Sequence, residues 1–388
     1  MTRQDLSVEE VRTQHDLMTF IRFPWEVYRG NPNWIPPLIK DHLSKFSPAH
    51  PFRSHSEMIL FLAKRDVKVV GRIAGIIDHN YIEFHQERIG FFGFFESIDD
   101  PPVAEILLSK VAYWLKARGM EKMAGPMNPS TNDECGLLIE GFDLPPCLMM
   151  PYNPPYYPVF VEDFGLKKAM DLYAYLLEEA TFHLDRLNRI TERLEKKEPQ
   201  LHVRPINLRN FDSDLTIVKE LYNQAWSKNW GFVPLTEAEI DDLAKNLKPL
   251  VVPDLVLFAY WGEEPVGFSV ALPDYNQVLK HLNGRVGLLG GLKFLYYSRK
   301  IHKIRVMLLG VKHAFRKKGI EGLLYIETFR RGIQKGYYTA ECSWILESNP
   351  LMQHGLEAMG GKRHKTYRIY QIPLQGESRE WNGESATS

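Results

Sequence analysis

Between Leu308 and Leu323 an apolar run, Leu308-Leu309-Gly310-Val311, meets a basic stretch, Lys312-His313-Ala314-Phe315-Arg316-Lys317-Lys318, and then Gly319-Ile320-Glu321-Gly322-Leu323, the opening of an amphipathic helix. Consecutive backbone N–H groups at such a helix start, reinforced by the helix dipole and by Arg316, Lys317 and Lys318, form a cradle for a pyrophosphate. Glycine lets a phosphate come close to the backbone. Cations at a helix start oppose the dipole, so their placement here speaks for an anion rather than for helix stability. A second run, Glu341-Cys342-Ser343-Trp344-Ile345-Leu346-Glu347-Ser348-Asn349, reads as a strand. Alternation along it sets Glu341, Ser343, Glu347 and Asn349 on one face, with two carboxylates available for proton transfer.

The elements that must hold these residues recur at long period, and the chain reads as two halves. Each half opens with a short strand and a helix, and a hairpin follows: Met58 to Lys64 with Lys68 to Ile77, then Leu255 to Trp261 with Pro265 to Leu272. A third strand, Ile89 to Glu96 or Ile304 to Val311, runs into an amphipathic helix. Val103, Ile106, Leu107, Val111, Trp114 and Leu115 in the first, and Ile320, Leu323, Ile326 and Phe329 in the second, keep three-and-four spacing. A further strand ends in Asn-Pro in each half, at Asn128-Pro129 and Asn349-Pro350. Gly165 precedes Tyr175 by ten residues, as Gly360 precedes Tyr370.

The expectation is a mixed α/β (α+β) chain of two tandem lobes, each a mixed sheet flanked by helices. The first lobe spans 1–180, a linker helix 181–200, the second lobe 201–376 and a flexible tail 377–388. A charged segment, Phe182 to Glu198, stopped by Pro199, marks the boundary.

Composition narrows the class. Of 388 residues, 48 are Lys or Arg and 48 Asp or Glu, so overall charge gives no reason to expect nucleic acid as a partner. Cys135, Cys147 and Cys342 are odd in number and far apart, which excludes a disulfide framework and a Cys-x-x-Cys metal site. No metal is expected. No apolar run reaches the length of a membrane span and the first residues lack a signal-peptide core, so the expectation is a cytoplasmic protein.

The motif resembles that of the GNAT superfamily of acyl-CoA-dependent N-acyltransferases, Val-x-Pro-x-x-(Arg/Gln)-x-x-Gly-x-(Gly/Ala) between the fourth strand and third helix. Val311, Arg316 and Gly319 match; His313 stands for the proline, and Glu321 for the last small residue, with Gly322 one place late. The resemblance covers Leu201 to Leu374 well and Val8 to Leu177 more faintly. It implies acyl-CoA as co-substrate, held by Leu309, Gly310, Val311, Arg316 to Gly322 and Asn349, and direct transfer to an amine. An alkylammonium acceptor needs a base, for which Glu347 is the first choice and Glu341 the second. The superfamily commonly places a tyrosine seven residues after the asparagine to protonate the leaving thiolate. Here that place is Leu356, leaving His354, Ser343, a water, or departure of the thiolate unassisted. The first lobe carries Ser97-Ile98-Asp99-Asp100-Pro101-Pro102 in place of the cradle, and its carboxylates would repel a pyrophosphate.

From Tyr275 to Ile320 there are eleven Lys or Arg and no Asp or Glu. The stretch includes Val286 to Tyr297, apolar and followed by Arg299-Lys300, which suits the surface of an anionic membrane or a buried helix with a basic end. Trp226, Trp230 and Phe232 fall where the superfamily's first two helices wall the acceptor pocket. With Asp274, Tyr275, Asn276, Tyr152 and Tyr156 they suit an apolar acceptor with a polar head. In layout the chain resembles the bacterial branch that includes GNAT-type ceramide synthases, which implies acylation of a long-chain sphingoid amine. The rivals are acetyl transfer to a small-molecule or peptidyl amine, and a non-catalytic acyl-CoA-binding regulatory protein.

Overall fold

The computed structural model describes residues 6–182 and 184–375. His183, within the expected linker, and the expected tail 377–388 lie outside the described residues. Contacts divide the chain into two compact units that are not continuous in sequence. One takes the residues up to Asp171 with Leu279–Gly291 and the chain from Tyr367 onward; the other takes Leu172–Val278 and Leu292–Thr366.

In the first unit the strands Leu6–Glu10, Ser56–Arg65, Lys68–Asp78 and Ile89–Ser97 pair antiparallel in order. Ile89–Ser97 then pairs in parallel with Lys122–Gly125, from Ile89↔Lys122 to Phe91↔Ala124. Lys122–Gly125 takes its other neighbour from the end of the chain, Tyr370 to Pro373. The helix Pro101–Lys116 buries Val103, Leu107, Val111, Trp114 and Leu115 against this sheet, as its periodicity requires. It lies over three glycines. A Cβ at Gly71 would meet Leu107 at 2.7 Å, one at Gly75 would meet Trp114 at 3.0 Å, and one at Gly90 would meet Leu115 at 2.2 Å. The missing side chains let helix and sheet approach closely enough for dispersion contacts.

The second unit repeats the plan. Leu201–Pro205, Val256–Trp261, Glu264–Pro273 and Lys303–Val311 pair antiparallel in order, and Lys303–Val311 pairs in parallel with Thr339–Leu346. Thr339–Leu346 then pairs antiparallel with Leu172 to Glu178, which precedes the rest of the unit in sequence. Alternation sends Leu257, Ala259 and Val266 into one core with the helix Ile320–Gln334. Val256, Phe258 and Phe268 join another with the helix Phe211–Trp226. Successive side chains of a strand point to opposite faces, so the sheet is covered on both. The expected hairpins and helices are present in both units.

Candidate active site

In the second unit the parallel strands Lys303–Val311 and Thr339–Leu346 stay together only from Lys303↔Thr339 to Val306↔Cys342, then part. Two irregularities sit where they separate. Val306 and Leu308 pair with Ala271 and Val270, so Met307 is an extra residue, a bulge. Against Leu172–Glu178 the register slips between Cys342 and Ile345, around Ser343 and Trp344. The gap is a cleft. One wall is Val306, Met307 and Leu309; the other is Ser343, Trp344, Ile345 and Leu346. Trp226, Asn229, Tyr325, Asn349 and Met352 complete it. Beyond Val306 the first strand has no parallel neighbour among the described residues, so its backbone groups on that side are open to a ligand that carries amides of its own.

The strand continues from Leu309 through Val311 into the basic loop and the helix Ile320–Gln334, whose N-cap is Gly319. Gly319 has φ +84° and Lys317 φ +63°. No side chain among the described residues caps this helix, which leaves the amides of its first turn available. A Cβ at Gly322 would stand in open space, so the approach to them is clear. Lys317 is exposed. Lys318 rests its ammonium over the rings of Trp261 and Phe315, at 4.2 and 4.9 Å. Arg316 has a structural engagement: its guanidinium donates to the carbonyl oxygens of Ala225 at 2.6 Å and Val311 at 3.3 Å, tying the loop to the helix Phe211–Trp226. Gly310 serves the same contact, since a Cβ there would meet Trp226 at 2.6 Å and Ala225 at 2.7 Å.

The expected alternation from Glu341 to Asn349 needs correcting. The strand ends at Leu346 and is irregular beyond Cys342, so Glu341, Ser343, Glu347 and Asn349 do not share one strand face. An inserted residue reverses the parity of every position after it. Glu341 is fully buried, with Lys303 Nζ at 3.1 Å, His364 Nε2 at 3.1 Å and the Ser343 hydroxyl donating to it at 3.0 Å. Burial alone would push its pKa up, but Lys303, then His364 and Arg305, hold it far below the usual carboxylate range. Ser343 also accepts from Arg305 Nε at 3.0 Å. Glu347 is half-buried in the turn after the strand. That turn is braced by Gln353, whose amide donates to the carbonyl oxygens of Leu346 and Glu347 at 3.1 and 3.0 Å. Asn349 lines the cleft and caps the helix Pro350–Ala358, accepting from Met352 N at 3.3 Å.

Of the other expected site residues, Trp226 lines the cleft, Phe232 is buried beside Tyr222, and Trp230 is half-buried. His354 is exposed, whereas Leu356, two residues on, is wholly buried in the core. Asp274, Tyr275 and Asn276 do not line the cleft. They follow the strand Glu264–Pro273, with Asp274 N bonded to Lys303 O at 2.8 Å, at the end where the two parallel strands are still paired. Tyr152 and Tyr156 belong to the first unit, where their hydroxyls donate to Phe142 O and Ser97 O.

Met307, Tyr325, Trp344 and Asn229 are cleft residues that pattern reading passes over. Tyr325 alone carried a signal, as a hydroxyl two residues from Leu323 on a helix otherwise read as core.

The first unit has the same parallel pair and the same kind of irregularity, with Phe94 at φ +48°. There the gap is filled. A Cβ at Gly93 would meet the carbonyl oxygen of Met127 at 1.7 Å, and Phe94 N donates to Asn128 Oδ1 at 2.6 Å. Its helix starts with two prolines behind Asp100, whose carboxylate is paired with Arg65.

No family model matches the chain. It is 36% identical over 365 residues to Protein YghO of Escherichia coli (strain K12), covering 92% of this chain and 93% of that one. It is also 36% identical over 383 residues to Bacterial ceramide synthase of Caulobacter vibrioides (strain NA1000 / CB15N), covering 96% and 99%. Among solved structures it resembles a tandem GNAT protein from the clavulanic acid biosynthesis pathway, with TM-score 0.56 and 10% identity over 96% of this chain and 100% of that one. Two units with parted parallel strands, one followed by an uncapped glycine-led helix, give this chain a tandem GNAT fold. The chain belongs to the family of Protein YghO and the Caulobacter protein.

Proposed function

We propose that the protein transfers an acyl group from acyl-CoA to a primary amine, and that the amine is a long-chain lipid amine of the sphingoid type. The observation that carries the reading is the continuity of cleft and helix start: the wall that ends at Leu309 leads directly through the basic loop to the open amides of Ile320, Glu321 and Gly322. A pyrophosphate at that helix start, with Lys317 at hand, leaves the pantetheine arm to run along the unpaired edge of Met307 to Val311. Its amides have there the backbone groups that a neighbouring strand would otherwise take. The reacting thioester then lies between the walls, near the turn that bears Glu347. Glu347 takes the proton from the attacking ammonium, directly or through water; Glu341, held ionised by Lys303, serves to fix Ser343 and Arg305. The first unit, its gap filled and its helix start acidic, takes no part in the chemistry.

The lipid acceptor is supported by the relative's name and by the helix Leu288–Ser298. Leu289, Leu292, Leu295 and Tyr296 are 76, 66, 59 and 55% exposed on it, while Phe294 stacks on Tyr275 at 5.6 Å. This is not the buried helix that the sequence also allowed. So large an apolar face is rare on a protein that meets only water, and Lys293, Arg299 and Lys300 beside it suit anionic headgroups. No helix among the described residues is long and apolar enough to cross a membrane, so the contact is peripheral.

Purified protein given palmitoyl-CoA and sphinganine should yield the N-acyl product by mass spectrometry. In a series of acyl-CoAs below their micelle concentrations, each two added carbons should tighten binding roughly tenfold until the groove is filled, at ~0.8 kcal/mol per methylene. A flat series, with acetyl-CoA as good a donor and only small amines accepted, would overturn the lipid reading.

A further inference from the structure

Tyr325 stands in the second turn of the helix Ile320–Gln334 and lines the cleft together with Ser343 and Trp344. The residue is 7% exposed. Among the described residues nothing hydrogen-bonds its hydroxyl, and that oxygen is not among the polar atoms sealed from solvent without a partner. The hydroxyl therefore reaches the open space of the cleft with no protein acceptor to hold it, and can donate to whatever occupies the cleft, water or a ligand atom. Burial, and then the neighbouring Cys342, pushes its pKa well above the ordinary phenol, so it is present as a neutral O–H donor.

The other donors on the cleft are differently placed. The Ser343 proton is committed to Glu341 at 3.0 Å. The indole N–H of Trp344 is buried and unpartnered, but it has no exchangeable role as an acid. Leu356, in the place where a tyrosine was expected, is shut in the core.

We propose that Tyr325 is the catalytic residue that receives the departing sulfur of CoA, hydrogen-bonding it as the thioester C–S bond breaks and delivering its proton to it. The proposal rests on the acyl-CoA reading of the cleft. The amine nitrogen bonds the carbonyl carbon and the C–S electron pair goes to sulfur. Sulfur takes the Tyr325 proton, and the phenolate recovers one from the proton that leaves the nitrogen. The products are an amide and a thiol, with no change of oxidation state. A phenol of raised pKa is a weak acid, so the hydrogen bond to the forming thiolate supplies most of the effect and the proton follows.

The test reads binding as well as turnover. CoA and desulfo-CoA, which lacks the sulfur, are titrated calorimetrically at pH 7 and at about pH 9.5, where a free thiol is largely ionised. Wild type should prefer CoA over desulfo-CoA by roughly tenfold or more at the higher pH and much less at pH 7, since a hydrogen bond to a charged group is the stronger kind. Cys342 stays a thiol throughout, its pKa pushed up by burial and by Glu341. Tyr325→Phe should lose that preference while binding desulfo-CoA as before, and should lower kcat at least about tenfold with KM for acyl-CoA unchanged. An aryl thioester, whose thiolate leaves unaided, should be affected much less.

Because the substitution removes only an unpartnered hydroxyl, Tm should hold. A fall of more than about 4 °C would show a structural role and overturn the proposal. So would an unchanged thiolate preference, or equal losses with both thioesters. Failure of wild type to bind either ligand would instead overturn the acyl-CoA reading itself, a distinguishable result.

Discussion

Lys303 Nζ lies 3.1 Å from Glu341 Oε2, a fully buried carboxylate two residues before the serine that lines the cleft. The carboxylate is sealed from water while Lys303 keeps a partial exposure, so Glu341 depends on Lys303 and its other partners for its charge. Glu341→Gln should cost ~3–5 kcal/mol in denaturant unfolding at neutral pH by removing the buried negative charge on which Lys303, His364 and Arg305 converge. The folded pKa is below the unfolded value near 4.3, so this stability is present above that pH and is lost as pH falls through it toward the folded value. The gap between wild type and variant should therefore narrow below about pH 4. A constant gap would mean that the pair does not carry the difference.

Glu347 is the carboxylate we propose for proton transfer. Glu347→Gln should reduce turnover roughly a hundredfold, the usual scale of a general base, with CoA affinity unaltered by calorimetry. If turnover survives in this variant and falls only in a well-folded Glu341→Gln protein, the role moves to Glu341.

Gly319, at φ +84°, leads the helix that faces the expected pyrophosphate. Gly319→Asp adds a side chain where the backbone favours none and a negative charge against the phosphates. Calorimetry should detect no CoA binding, although the variant keeps its circular dichroism. Wild-type affinity in this variant would place the cradle elsewhere.

Gly310 meets Trp226 so closely that Gly310→Ala must move the helix Phe211–Trp226. Overpacking of this kind costs ~1–3 kcal/mol, read from urea midpoints. Since Trp226 also walls the cleft, donor KM should change with it; a variant with unaltered stability would show that the helix shifts freely.

The exposed apolar face of Leu288–Ser298 predicts a membrane response. Leu289→Glu with Leu292→Glu should abolish sedimentation with vesicles containing phosphatidylglycerol, and high salt should weaken wild-type binding. Turnover of a short, soluble amine should be untouched. Sedimentation equal to wild type would return the helix to a protein-facing role.

Much of the architecture was legible in the sequence because it is written in local patterns. Period-two runs at Met58 to Ile77 and Leu255 to Leu272 became antiparallel hairpins. Three-and-four spacing after Pro101 and Ile320 became sheet-covering helices, and Gly319 with its basic neighbours became an uncapped helix start. Such signals depend on residues a few positions apart.

What the tertiary structure decided lies at longer range. Leu172 to Glu178 and Tyr370 to Pro373 each complete a sheet by pairing beside strands far off in sequence. Alternation shows which face a strand buries but not which neighbour it takes. The bulge at Met307 and the slip around Ser343 leave no mark in composition, yet they part the strands, remove Glu341 and Glu347 from a common face and open the cleft to Tyr325. The ionisation of Glu341 was set by Lys303 and His364, brought to it by pairing and packing. Sequence alone determined that this protein carries a basic, glycine-led helix start inside a repeated α/β plan. That Glu341 is held ionised, and that the Tyr325 side chain lines the cleft, was decided by burial, charge and packing, which exist only once distant segments have come together.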